Sequence, residues 1–159
     1  FSGRLIRRRT FAPETLPARE VGRLEVALPM EKLFTSDAER KGAFVHYELR
    51  DARTKALITE LTDYAARTKE LRLPRTKAGD FTLKTTRRAG TLFIDIQSKT
   101  LLKDAYIDLG ETGWQLSDNF LDILPGRCYR LRATRRQNAP ARTTTALPTV
   151  TLRSITTAE

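Results

Sequence analysis

The side chains able to do covalent or metal chemistry are few: one histidine, His46, and one cysteine, Cys128. A zinc site gathers three or four His, Cys or carboxylate ligands, and a nucleophile needs a base within hydrogen-bond reach. His46 stands in FVHYEL and Cys128 in RCYRLRA, far apart in sequence and each in a stretch that reads as a strand. Neither a zinc set nor a nucleophile–base pair is predicted from them. His46 is read as a residue on one sheet face and Cys128 as a packed structural thiol. A single cysteine also excludes an internal disulfide framework. Carboxylates are numerous enough that some pair falls about 5–10 Å apart in any fold, so acid pairs alone do not predict a glycosidase centre. Asp118 and Asp122 are the pair in the most distinctive segment. Turn chemistry accounts for both, with Asp118 capping a turn and Asp122 solvated or tied to Arg127. No catalytic, cofactor-binding or metal-ligating residue is assigned, and no cofactor is expected.

Binding without catalysis is the remaining chemistry. An exposed row of Trp114, Tyr106 and Tyr64 would stack on sugar rings, as a free-standing carbohydrate-binding sandwich requires. Tryptophan is more usual in a sandwich core, however, and aromatics make up only 8% of the chain, too few to favour a platform. Lys and Arg number 29 against 19 Asp and Glu, a net charge of +10 that raises polyanion binding. The arginines cluster at Arg4, Arg7, Arg8 and Arg9, and again at Arg127, Arg130, Arg132, Arg135 and Arg136. The second group alternates with Cys128, Leu131 and Ala133, as on the wet face of a strand. No recognition helix, zinc-finger spacing or aromatic-plus-basic RNA motif accompanies it. A solvated face, or one seated on an acidic neighbouring domain, is favoured over nucleic acid. No window approaches the ~20 apolar residues of a membrane span, so no membrane partner is expected. The opening FSGRLIRRRTF lacks the apolar run of a signal peptide. It also lacks an initiator methionine, so a processed chain or a fragment is expected. A disulfide-free domain suits either side of a bacterial membrane, leaving cytoplasm and periplasm both open.

The elements that must position these residues are strands. In VGRLEVAL, Leu24, Val26 and Leu28 alternate with Arg23, Glu25 and Ala27. AFVHYELR and ALITELTDY form a hairpin across the polar turn Asp51–Lys55. Met30 to Gly42 has helix formers, but Thr35, Ser36 and Asp37 interrupt it, so one short turn followed by loop is predicted. The run KELRLP, ending at Pro74, reads as a boundary. Beyond it, Phe81 and Leu83, then Leu92, Ile94 and Ile96, point inward along two strands. TLLKDAYIDL places Leu101, Ala105 and Ile107 inside against Lys103, Asp104 and Asp108. RCYRLRAT and PTVTLRSIT complete the set, separated by the Pro/Thr-rich loop QNAPARTTTALP. Short strands without a long helix predict an all-β protein of two immunoglobulin-like β-sandwiches. Residues 1–68 form a first sandwich truncated at its N-terminal end, and residues 69–159 form a complete second one.

Trp114–Gly126, WQLSDNFLDILPG, is the most specific segment. Ser117-Asp118-Asn119 favours a turn, and Leu124-Pro125-Gly126 makes another. Phe120 and Ile123 or Leu124 are expected to cover the end of the core, and Tyr129 has the position of a corner tyrosine. SDNFLDILPGR resembles the last immunoglobulin-like domain of family 2 glycoside hydrolases of the β-mannosidase type. Leu116 and Leu121 stand where that family has aromatics, and Arg127 where it has an acid. KELRLP resembles the segment entering that domain, AFVHYELRDARTKALITE the closing hairpin of the domain before it, and TLRSI the final strand. The resemblance implies a non-catalytic C-terminal region of a multidomain enzyme that removes terminal β-linked mannose by a retaining mechanism. Related exo-β-glucosaminidases carry a similar C-terminal signature. The resemblance places the two catalytic glutamates on a (β/α)₈ barrel of ~250 residues, to which nothing here corresponds, so no catalytic residue carries over. The implied partners are the other domains of the same polypeptide, namely the barrel and the preceding sandwiches. Carbohydrate is met only through the parent enzyme, and the chain alone is expected to be inactive.

Overall fold

Alternating apolar side chains shape the structure, a computed structural model that describes residues 1–11, 30–110, 113–136 and 147–157. Chain contacts divide it into two units: Leu5–Arg72, and Leu73–Glu159 together with Phe1–Arg4. The anticipated strand at VGRLEVAL and most of the loop QNAPARTTTALP lie outside the described residues. No helix among the described residues is long and apolar enough to cross a membrane.

In the Leu5–Arg72 unit the chain forms α1 (Met30–Leu33), α2 (Asp37–Gly42), β1 (Val45–Arg50) and β2 (Leu57–Asp63). The helix α2 corrects the reading of this stretch as turn and loop. Thr35-Ser36-Asp37 caps the helix instead of interrupting it. Ser36 accepts a hydrogen bond from the Glu39 amide at 3.2 Å. Glu39 reaches back to the Thr35 amide and hydroxyl at 2.8 and 2.7 Å, a near relative of the capping box. Asp37 receives hydrogen bonds from Lys41 and Arg40, which lower its carboxyl to about 2. The hairpin β1–β2 is antiparallel, with Val45 opposite Asp63 and Glu48 opposite Glu60. Its turn is built by Asp51, whose carboxylate accepts the Arg53 and Thr54 amides and is thereby held below the usual carboxylate range. Lys55 closes the turn at φ 61°.

The larger unit contains β3 (Phe81–Arg88), β4 (Thr91–Ser98), β5 (Leu102–Asp108), β6 (Trp114–Leu116), β7 (Leu121–Ile123), β8 (Cys128–Arg135) and β9 (Thr151–Arg153). They make a four-stranded sheet, β3-β4-β8-β6, and a three-stranded sheet, β7-β5-β9. Leu92, Ile94 and Ile96 of β4 are fully buried, as their spacing predicts, and pack with Leu131 and Ala133 of β8. From the other sheet, Leu102, Ala105, Ile107 and Ile123 complete the same cluster. On the wet face of β8, Arg130 grips Asp95 with two hydrogen bonds of 2.6 and 2.9 Å. Those bonds hold the Asp95 carboxyl below its ordinary range.

β5 departs from simple alternation. Its register shifts between Leu102 and Ala105, with Asp104 at φ 51°. This is a bulge, which puts an extra residue in one strand and changes which side chains face in. Leu101, Leu102 and Lys103 are therefore all buried in succession. Lys103, expected outside, lies inside with its ammonium 3.2 Å from Asp104 and 3.7 Å from Asp122.

Candidate functional site

The segment Trp114–Gly126 assembles one end of this sandwich, and the side chains of Ser117, Asp118, Asn119 and Asp122 all bond backbone. Trp114 opens β6 opposite Arg135 and is only 8% exposed, which decides for core over sugar platform. Arg135 and Arg87 lie over its ring, 5.2 and 5.9 Å from the centroid, where a cation is attracted by the ring's negative face. Tyr64 belongs to the other unit and packs against Phe44. The Ser117 amide and hydroxyl extend the β6–β8 pairing onto Arg132. Asp118 accepts the Asn119 amide at 2.8 Å, the turn-capping role expected of it.

Asn119 does more than fill a turn. Its carboxamide oxygen accepts the Ile107 amide at 2.7 Å, and its nitrogen donates to the Ile107 carbonyl at 3.0 Å. One side chain thus reproduces the double bond exchange of an antiparallel strand pair. The next residue, Phe120, sits at φ 57° and is 67% exposed, which corrects its expected place over the core. The left-handed backbone turns the ring outward, where it packs on Tyr106 with centroids 5.1 Å apart. Ile123 and Leu124 are the residues that close the core.

Asp122 is neither solvated nor defined by Arg127 alone. It accepts the Asp104 amide at 2.9 Å, pinning the bulge of β5, and lies near the Lys103 ammonium. Asp118 and Asp122 therefore each hold a separate backbone amide. Leu124–Arg127 is a tight turn in which the Arg127 amide donates to the Leu124 carbonyl and Gly126 has φ 73°. Tyr129 behaves as a corner tyrosine, its hydroxyl accepting the Leu124 amide at 3.4 Å. Cys128 is exposed, not packed as expected, because Tyr129, Leu131 and Ala133 take the inward positions of β8.

Nothing within 4 Å would meet a Cβ on Gly126, so a side chain there costs backbone strain alone. Gly126→Ala is expected to lower the stability of the larger unit by about 1–2 kcal/mol. Gly126→Asn should recover part of that loss, because asparagine tolerates the left-handed region. Urea unfolding followed by emission of Trp114, the single tryptophan, measures both. An unchanged midpoint for Gly126→Ala would remove the strain argument.

One group of chemically capable residues was missed by sequence reasoning. His46 Nε2 lies 3.3 Å from Glu60 and 3.6 Å from Glu48 on the hairpin of the Leu5–Arg72 unit. The count of histidines and cysteines gave no sign of it. The signal is the spacing of His46 and Glu48 on one strand, read together with Glu60 and Thr62 across the Asp51 turn.

The two packed antiparallel sheets, corner tyrosine and Asn119 clamp define an immunoglobulin-like sandwich. The Ig-fold domain of mannosidases matches residues 73–158, more than half of the chain, and the chain belongs to that family. A comparison with curated proteins gives no match.

Proposed function

We propose that this chain is a non-catalytic accessory region from the C-terminal part of a β-mannosidase-like glycoside hydrolase. In that enzyme a barrel domain removes terminal β-linked mannose by a retaining mechanism, and this region supports it. The observation that carries the reading is the use made of the signature carboxylates. Asp118 and Asp122 each hold a backbone amide, whereas a glycosidase centre needs two carboxyl groups facing one bond. The family match supplies the mannosidase context.

On this reading the Leu5–Arg72 unit is part of the preceding immunoglobulin-like sandwich, and its hairpin is that domain's closing pair. The partners are the other domains of the same polypeptide. The exposed Tyr106–Phe120 pair and the arginine face of β8 are surfaces available for such neighbours.

The chain alone, incubated with an aryl β-mannoside, should show no turnover. Measurable hydrolysis that survives repurification would overturn the reading. In the parent enzyme, deleting residues 73–159 should lower the melting temperature and soluble yield. A truncated enzyme as stable and active as the intact one would remove the supporting role.

A further inference from the structure

The hairpin β1–β2 carries an arrangement that the accessory role does not use. Side chains two apart on a strand share a face, so His46, Glu48 and Arg50 line up on β1. The register sets His46 opposite Thr62 and Glu48 opposite Glu60. Two carboxylates directly opposite each other on neighbouring strands repel. Here they converge on an imidazole nitrogen, at 3.6 and 3.3 Å. We propose that His46, Glu48 and Glu60 form a binding site for a divalent late first-row cation, with Zn²⁺ as its best match.

The geometry fits that ion. Zinc takes imidazole nitrogen and carboxylate oxygen at about 2.0–2.2 Å, which sets tetrahedral ligand-to-ligand edges of roughly 3.3–3.6 Å. The two nitrogen–oxygen separations fall at that edge length, and all three donor atoms lie within 4.8 Å of one another. An ion placed among them also removes the repulsion between the facing carboxylates.

The outer contacts are those that orient metal ligands. His46 Nδ1 is 3.2 Å from the Thr62 hydroxyl. With Nδ1–H donated to that oxygen, the lone pair on Nε2 points at the two glutamates. The second oxygen of Glu48 accepts a 2.8 Å hydrogen bond from Arg50 Nε, which fixes the carboxylate while the first oxygen faces the imidazole. The His46 side chain is 15% exposed and Glu60 28%. The donors are thus shielded enough to be ordered and open enough for an ion to enter. The borderline nitrogen–oxygen set favours zinc over magnesium or calcium, which take oxygen ligands.

The test exploits the single histidine. The intact chain carrying Cys128→Ser, which removes the exposed thiol as a rival zinc ligand, is titrated with Zn²⁺ at fixed pH, since the metal must displace any proton on the imidazole. The imidazole nitrogens of His46 are followed by NMR. Saturable one-to-one binding should shift Nε2 strongly while Nδ1 keeps its proton. Glu60→Gln and Glu48→Gln should each weaken binding at least about tenfold, and Thr62→Val about 10–100-fold through the outer contact. Each variant's backbone amide spectrum reports whether the hairpin still forms. Two results overturn the proposal. One is a His46 signal unmoved by a large excess of Zn²⁺. The other is binding that neither glutamine substitution weakens, which reduces the site to a lone imidazole.

Discussion

Replacing Asn119 with alanine is expected to destabilise the larger unit by about 2–4 kcal/mol. The substitution removes the acceptor of the Ile107 amide and the donor to the Ile107 carbonyl in one step. Ile107 is 1% exposed, so water cannot easily take over either bond, and an unsatisfied buried backbone group costs about 1–3 kcal/mol. The Phe120 amide loses the same oxygen at 3.1 Å, leaving the left-handed Phe120 without its local support. Asn119→Asp should not rescue the fold. It keeps the acceptor but sets a second oxygen against the Ile107 carbonyl. The readout is urea unfolding monitored by Trp114, which lies in this unit alone, so the other unit does not confuse the transition. A midpoint within error of the parent for both variants would show that the clamp carries no stability.

That expectation changes what the signature segment means. Ser, Asp, Asn and Trp gathered in thirteen residues look like a site, yet Ser117, Asn119 and Asp122 bond strand backbone, Asp118 bonds the next amide in its turn, and Trp114 is buried. Residue types were legible from the sequence because turn chemistry is local. Asp118 caps its own successor, Gly126 supplies a positive φ, and Tyr129 returns to Leu124, all within a few positions. The alternation of Leu92, Ile94 and Ile96 was equally legible, since a strand with one buried face writes a period of two into its sequence.

What stayed hidden depends on contacts between strands or on single backbone angles. The bulge at Asp104 is set by Asp122, eighteen positions away, which accepts the Asp104 amide. Alternation cannot foresee such a shift, so Lys103 was misplaced. Phe120 reads as a core aromatic by type, and only its φ of 57° turns it out to Tyr106. In α2 the residues taken as breakers are its cap, a case where Ser and Thr favour helix ends and oppose helix interiors. The His46 cluster required the register of β1 on β2. A slip of one residue would have carried Glu60 to the other face.

The arginine-rich face also acquires a local account. Arg130 is paired with Asp95 across β4 and β8, and Arg87 and Arg135 cover Trp114. These three arginines thus have partners within the fold, while the net charge of +10 is the excess that remains after every acid is counted.

The packing of the two sheets themselves is probed most directly at Ile94. It lies in the middle of β4, flanked by Thr85 of β3 and Leu131 of β8, and is fully buried. Ile94→Ala should lower the unfolding free energy by about 2–5 kcal/mol, combining lost transfer energy with the cavity left in a rigid surround. Ile94→Val, which removes one methylene, should cost about 0.5–1.5 kcal/mol. Thr86→Ala, on an exposed position of β3, should stay within about 0.5 kcal/mol of the parent. The contrast tests the inward face of the four-stranded sheet without relying on any one magnitude. If Ile94→Ala and Thr86→Ala shifted the Trp114 unfolding midpoint equally, the assigned face of β4 would be wrong. The register with β8 and the sandwich built on it would have to be redrawn.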